Sequence, residues 1–309
     1  MIDFRYHLIS IIAIFLALAA GITLGAGPFH DPVNAQVAAD EDANRQSEAA
    51  LRGELASAQD AQSFENAFAE SVGTDLLSDR LKDRSVALFM LPGADDAVAD
   101  GLSEQIEAAG GSVTAQVEVA DKMIDPGERQ FAEGVARQSL DGQSDVPDTS
   151  GMSSYQLLGA GLARAYLTDG SDAAFDATAS TVASAYREAG FIEAAKEPST
   201  RAGLAVFVTG ETADTTLDGQ DELVATTAAT ADAESLGAVI AGPASSADEG
   251  GAIHYVRDGD LSGTLSTVDT ATVSAGQVVT VLALQREVDG RSGHYGAGDG
   301  ADQAMPDVG

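Results

Sequence analysis

Side chains able to do chemistry are few and scattered in this sequence. It has no Cys, four His (His7, His30, His254 and His294) and five Met (Met1, Met90, Met123, Met152 and Met305). That leaves no thiol nucleophile and no thiolate metal site. The histidines show no ligand spacing, and no Gly-x-Ser-x-Gly nucleophile elbow occurs. One loop stands where chemistry is often done. "LPGADD", at 91–96, closes a short apolar run, the place where doubly wound folds bind ligands. It lacks both the Gly-x-Gly-x-x-Gly spacing and the Gly-Lys-Ser/Thr that holds phosphates. Asp95 and Asp96 are of a type that holds divalent cations, but acidic residues opening a helix complement its dipole, and that is the simpler account. No acid–base pair can be nominated. The expectation is a non-enzyme, with no catalytic, cofactor-binding or metal-ligating residue and no cofactor.

Around that loop the texture is α/β. "SVALFML" from Ser85 is the continuous apolar run of a buried parallel strand, and Met90 within it reads as core. A helix follows through "ADDAVADGLSEQIEAAGG", and then a second strand, "SVTAQVEV", completing a right-handed β-α-β unit. Helices are expected over Pro126–Ser139, Ser153–Thr168, Asp172–Ala189 and Leu217–Ala231. Further buried strands are expected in Arg201–Gly210 and Ser235–Pro243. "AIHYVRDG" and "GTLSTVD" read as edge or hairpin strands, which puts His254 on a strand as a packed or rim residue. "SAGQVVTVLALQREVDG" reads as a closing helix, capped by Ser274 and ended by Gly290.

Ahead of this domain the chain changes character twice. No charge occurs from Leu8 to Gly27, and about 20 apolar residues cross a bilayer core. The run is longer than a signal peptide's, and Pro28 follows the small residues Gly25 and Gly27, so an uncleaved anchor is favoured. Arg5 precedes the span, while Asp31, Asp40, Glu41 and Asp42 follow it; this puts the N-terminus in the cytoplasm. Gly21 and Gly25 form a Gly-x-x-x-Gly that permits close helix approach. After a turn signal at Asp31-Pro32, Leu51, Leu55, Ala58, Phe68, Val72, Leu76 and Leu81 recur mostly at three- and four-residue steps, as in a helix or coiled coil.

The predicted architecture is therefore α/β: a single N-terminal transmembrane helix, a helical coiled-coil stalk, then a mostly parallel-sheet domain. The boundaries are 1–7 cytoplasmic, 8–27 transmembrane signal-anchor, 28–84 stalk, 85–295 α/β domain and 296–309 a Gly- and Asp-rich disordered tail. The 49 acidic residues outnumber 16 basic ones, for a net charge of −33, which disfavours nucleic-acid binding. The acids are spread along the whole chain, the pattern of adaptation to high salt rather than of a site.

Two blocks carry a family resemblance. "FRYHLISIIAIFLALAAGITLGAGPF" and "STVDTATVSAGQVVTVLALQREVDGRSGHYG" resemble the two ends of the mycobacterial copper transport protein B (MctB) family of actinobacterial envelope proteins. The resemblance implies copper efflux or homeostasis from the cell envelope, by a single-pass membrane protein with an extracytoplasmic C-terminal domain. Copper itself is implied by the resemblance alone; no ligand set is identified. Relatives also imply an alternative, a scaffold that binds a membrane partner to control peptidoglycan cleavage and cell separation during cell division. In that case "GRSGHYG" is expected to be a surface loop, with Arg291, His294 and Tyr295 contacting an envelope or membrane protein. A homo-oligomer through the stalk or membrane helix is a further expectation.

Overall fold

A computed structural model describes residues 4–25, 30–143, 145–170, 173–194, 198–212 and 217–307. Gly27, Pro28, Asp172, the first three residues and the last two, on which expectations were placed, lie outside the described residues. The chain divides into two compact units, 1–63 and 64–309.

The first unit contains α1 (Phe4–Gly25) and most of α2 (His30–Leu77). The 22 residues of α1 span about 33 Å at 1.5 Å per residue. Its stretch Tyr6–Thr23 is long and apolar enough to cross a membrane, and none of it is buried. The expected turn at Asp31-Pro32 is instead the first turn of α2. Pro is tolerated there because the first N–H groups of a helix have no intrahelical partner. The stretch expected as a stalk lies largely in this one helix of 48 residues, with Leu51 and Leu55 exposed.

The second unit is a three-layer sandwich around a seven-stranded sheet of order β3-β2-β1-β4-β5-β6-β7. The strands are β1 (Ser85–Met90), β2 (Ser112–Val119), β3 (Ile192–Ala194), β4 (Leu204–Val208), β5 (Ala238–Ala241), β6 (Ser266–Val268) and β7 (His294–Tyr295). All neighbours pair in parallel except β3, which runs antiparallel to β2. The apolar runs form central strands because both faces are covered. Val86, Leu88 and Met90 of β1 point to one layer, and Ala87 and Phe89 to the other. Phe89 stacks on Phe207 of β4 with ring centroids 4.8 Å apart.

One layer holds α3 (Asp96–Ala108) and α9 (Ser274–Val288). The other holds α4 (Arg129–Leu140), α5 (Ser154–Tyr166), α6 (Ala177–Glu188), α7 (Gln220–Ala233) and α8 (Ala252–Asp258). The helix ends follow ordinary capping chemistry. Ser153 and Gln156 form a reciprocal capping box on α5, and Asp95 accepts from the Ala97 N–H at 2.9 Å, as a helix-start carboxylate should.

Five expectations need correction. "AIHYVRDG" is not a strand but helix α8, because Ala252, Ile253 and Val256 bury at helical spacing. "GTLSTVD" supplies β6, which lies inside the sheet rather than in an edge hairpin. The α/β unit begins well before Ser85: Leu77 and Leu81 are fully buried in its core, and the Ser274 N–H donates to Asn66 Oδ1. Ser274 does not cap α9; its hydroxyl instead donates to Glu70 Oε1 at 3.3 Å. The tail is the largest correction. Among its described residues, 296–307, several backbone groups are hydrogen-bonded into the sheet edge, and Pro306 is buried.

Candidate functional site

The block expected to meet a partner is built into the sheet edge. His294 and Tyr295 form β7 and are buried at 5% and 2% exposure, too deep for partner contact. His294 Nδ1 lies 3.0 Å from Thr267 Oγ1. Burial depresses the affinity of this imidazole for a proton; Asp302 pulls it up and Arg257 down. Only Arg291 is exposed, and it pairs with Asp289 at 3.1 Å.

What holds β7 in place is a buried ion pair that sequence reading did not find. Arg257 on α8 and Asp269, just past β6, meet at 2.7 Å with side chains 2% and 0% exposed. Arg257 also donates to Thr267 Oγ1 at 3.0 Å, to the Tyr295 carbonyl at 2.9 Å and to the Asp299 carbonyl at 2.9 Å. Asp269 accepts from the N–H groups of Ala297 at 2.8 Å and Gly298 at 3.0 Å. A side chain at Gly296, where φ is +131°, would collide with the Asp269 carboxylate. A buried charge pair persists when its remaining hydrogen-bonding capacity is met, as it is here. "STVD" and "GHYGAG" are therefore one structural clamp.

A second pair of acids sits near the start of β5 and β6. Glu287 is 8% exposed and accepts from the Ser266 N–H at 2.9 Å. Burial, reinforced by the nearby Asp232 charge, pushes its carboxyl up to about 8. Asp232 accepts from the Ala238 N–H, and burial raises it to about 6.

The place with the geometry of a ligand site lies at the opposite end of the strands. β1 connects outward to β2 on one side, while β4 leads to β5, β6 and β7 on the other, so the chain reverses direction across the sheet between β1 and β4. Ligands of open α/β sheets bind in the crevice outside the strand ends at such a point. Here the loops after β1 and β4 come together. Gly93 has φ +80°, and a Cβ at Gly210 would collide with the Gly93 backbone. Beside that contact opens a crevice of about 270 Å³, lined by the Leu91-Pro92-Gly93 turn, Asp121, Thr209, Glu211, Asp221 and Ser246, among others. The "LPGADD" loop borders this crevice through Leu91, Pro92 and Gly93, while Asp95 and Asp96 serve the start of α3. Among the described residues, no group of three or more His, Cys, Asp or Glu is placed to hold a metal ion.

Comparison with known proteins supplies the context. A family model described as "Copper transport outer membrane protein, MctB" matches residues 1–306. Proteins named copper transporter MctB from Mycobacterium tuberculosis and Mycobacterium bovis are each 31% identical over 316 residues, covering 97% of this chain and 98% of theirs. The protein of that name from Mycobacterium leprae is 27% identical, again over 97% of this chain and 98% of its own.

Proposed function

Because the chain belongs to the MctB family of copper transport outer membrane proteins, we propose that it serves copper homeostasis as an anchored, non-enzymatic protein of the cell envelope. The observation that carries this reading is the family match through residues 1–306, which takes in the apolar helix, the long helix and the α/β unit alike. In this reading α1 is the single membrane span and the α/β unit lies outside the cytoplasm, an orientation that the charge asymmetry around α1 supports.

The chain works with an envelope or membrane partner rather than forming a conduit by itself. Its seven strands make an open sheet with helices on both faces, whereas a membrane barrel must close on itself and turn an apolar band to lipid. Copper is cargo handled by the assembly: Cu(I) prefers thiolate and thioether ligands, and this chain has no Cys and widely spaced Met. Assembly can use the long helix, where Leu51, Leu55, Phe64, Phe68 and Val72 are exposed apolar side chains. It can also use α1, where nothing lies within 4 Å of a Cβ built at Gly21 or Gly25.

The test is total cell copper in a deletion strain and its parent under copper load, with cell chaining scored in the same cultures. Raised copper, reversed by the intact gene, is the expected result. Unchanged copper with chained cells would transfer the function to cell separation.

A further inference from the structure

The segment after β7 forms a strap along the edge of the sheet, and its main-chain contact with β7 centres on His294. The N–H groups of Asp302 and Gln303 donate to the His294 carbonyl at 2.8 and 3.4 Å, and the Gly296 N–H donates to the Gln303 carbonyl at 3.1 Å. In return the His294 N–H donates to Asp302 Oδ2 at 3.1 Å. Arg257 adds its bond to the Asp299 carbonyl.

The side chain of the same histidine ends a hydrogen-bond relay whose direction the chemistry fixes. A guanidinium can only donate, so the 3.0 Å contact between Arg257 Nε and Thr267 Oγ1 makes the hydroxyl oxygen an acceptor. The single hydroxyl proton is then directed to His294 Nδ1, also 3.0 Å away. Nδ1 is therefore the bare nitrogen, and the neutral ring carries its proton on Nε2. Both Thr267 and His294 are buried, which shields the relay from water.

A proton added at Nδ1 turns this acceptor into a donor. Thr267 must turn its own proton away from the ring, and a second positive charge enters beside Arg257. The charged groups facing the ring are Asp302 from the strap and Arg257 from α8, while the loop after α8 presents the Ser262 backbone. Asp269 stands behind Arg257 and neutralises it at 2.7 Å. Burial opposes the added proton, Asp302 favours it and Arg257 opposes it; the opposition prevails.

We propose that this relay makes the strap an acid-released latch: protonation of His294 breaks its link to Thr267 and frees residues 299–307 from the edge of the sheet. With the strap open, the ring reaches water and takes the proton at the ordinary imidazole value, so acid favours the open form. Below about pH 6.5 each further pH unit multiplies the open fraction by up to about tenfold, until the closed form is itself protonated.

The test is amide hydrogen exchange, read by mass spectrometry on the full chain in micelles between pH 7.5 and pH 5 and corrected for the intrinsic pH dependence of exchange. The segment 296–303 should lose protection by up to about tenfold per pH unit below about 6.5, while β1 and β4 keep theirs. His294→Asn retains an oxygen able to accept from Thr267 and takes no proton, so exchange of its strap should no longer depend on pH. A reading independent of that variant is nitrogen NMR of the parent at pH 7.5, where His294 Nδ1 should show the shift of an unprotonated nitrogen. Any of three results overturns the proposal: strap protection that stays constant across the range, an equal pH dependence in His294→Asn, which would move the response to Asp302 or Asp269, or a neutral ring protonated at Nδ1.

Discussion

Glu287 makes the pH response of this fold calculable. Its carboxyl is walled off from water, and its one described hydrogen bond, from the Ser266 N–H, does not offset the loss of hydration. The nearby Asp232 charge adds to the cost of ionising it, so it titrates near 8 in the folded protein against 4.5 for an ordinary Glu. Between those two values the folded state holds a proton that the unfolded state has lost. The stabilising contribution is therefore complete below about pH 4.5 and disappears as pH rises through 8. The two values differ by about 3.5, and one pH unit corresponds to about 1.4 kcal/mol, so about 4 kcal/mol should be lost between pH 5 and pH 9.

Glu287→Gln removes the titration but keeps an oxygen to accept from Ser266. Relative to the parent, the variant should be nearly isostable at pH 5 and more stable by about 4 kcal/mol at pH 9. Urea unfolding of the full chain in micelles measures this. With no Trp and six Tyr in the chain, tyrosine fluorescence is the natural signal, and Tyr166, Tyr186 and Tyr295 are buried reporters. Parallel stability profiles for parent and variant from pH 5 to 9 would refute the reasoning, since they would mean that Glu287 is solvated or paired.

Three further outcomes follow from the same geometry. Arg257→Ala leaves Asp269 charged and buried without its partner, so it should cost about 3–5 kcal/mol. It should also expose the amides of 297 and 298 to rapid hydrogen exchange ahead of the central strands. By NMR, the His294 imidazole should titrate below 6.5, because the buried ring resists protonation. Its contribution to stability is present above pH 6.5 and is lost as pH falls through the depressed value, and a midpoint above 6.5 would contradict its burial. Gly210→Ala drives a methyl into the Gly93 backbone and should cost about 1–3 kcal/mol in thermal or urea unfolding, whereas Gly134→Ala, with open space around it, should not.

Much of the core was readable because its signal is local. β1, β4 and β5 are apolar runs and β2 alternates, each near turn residues, and Asp95 before its helix is an ordinary cap. α8 was misread because Ile253, His254 and Tyr255 alternate as in a strand, and only the burial of Ile253 with Val256 reveals the helical period. β3 and β7, of three and two residues, are too short to carry any period. The tail was misjudged for a related reason. Its Gly- and Asp-rich composition offers no apolar surface, but its backbone N–H groups are what Asp269 binds. Half of the crevice was legible in "LPGADD". The other half, Thr209 to Thr212, could not be placed opposite it, because which strands become neighbours is not a local property.

That same neighbour relation governs how the molecule comes to be folded. β1 and β2 are separated by one helix and can meet early, as a short-range unit. Joining β1 to β4 must bring together groups 118 residues apart, as in the bond from the Gly203 N–H to Ser85 Oγ. Closing a loop of that length costs about 4 kcal/mol in chain entropy beyond a length-independent constant, before the new contacts offset it. Slow folding is the signature of such non-local parallel pairing. The approach of Gly210 to Gly93 exists only once that closure is made, so the crevice is among the late-forming parts of the domain, and a chain stalled before it would hold a nearly complete β1–β2 half without the crevice.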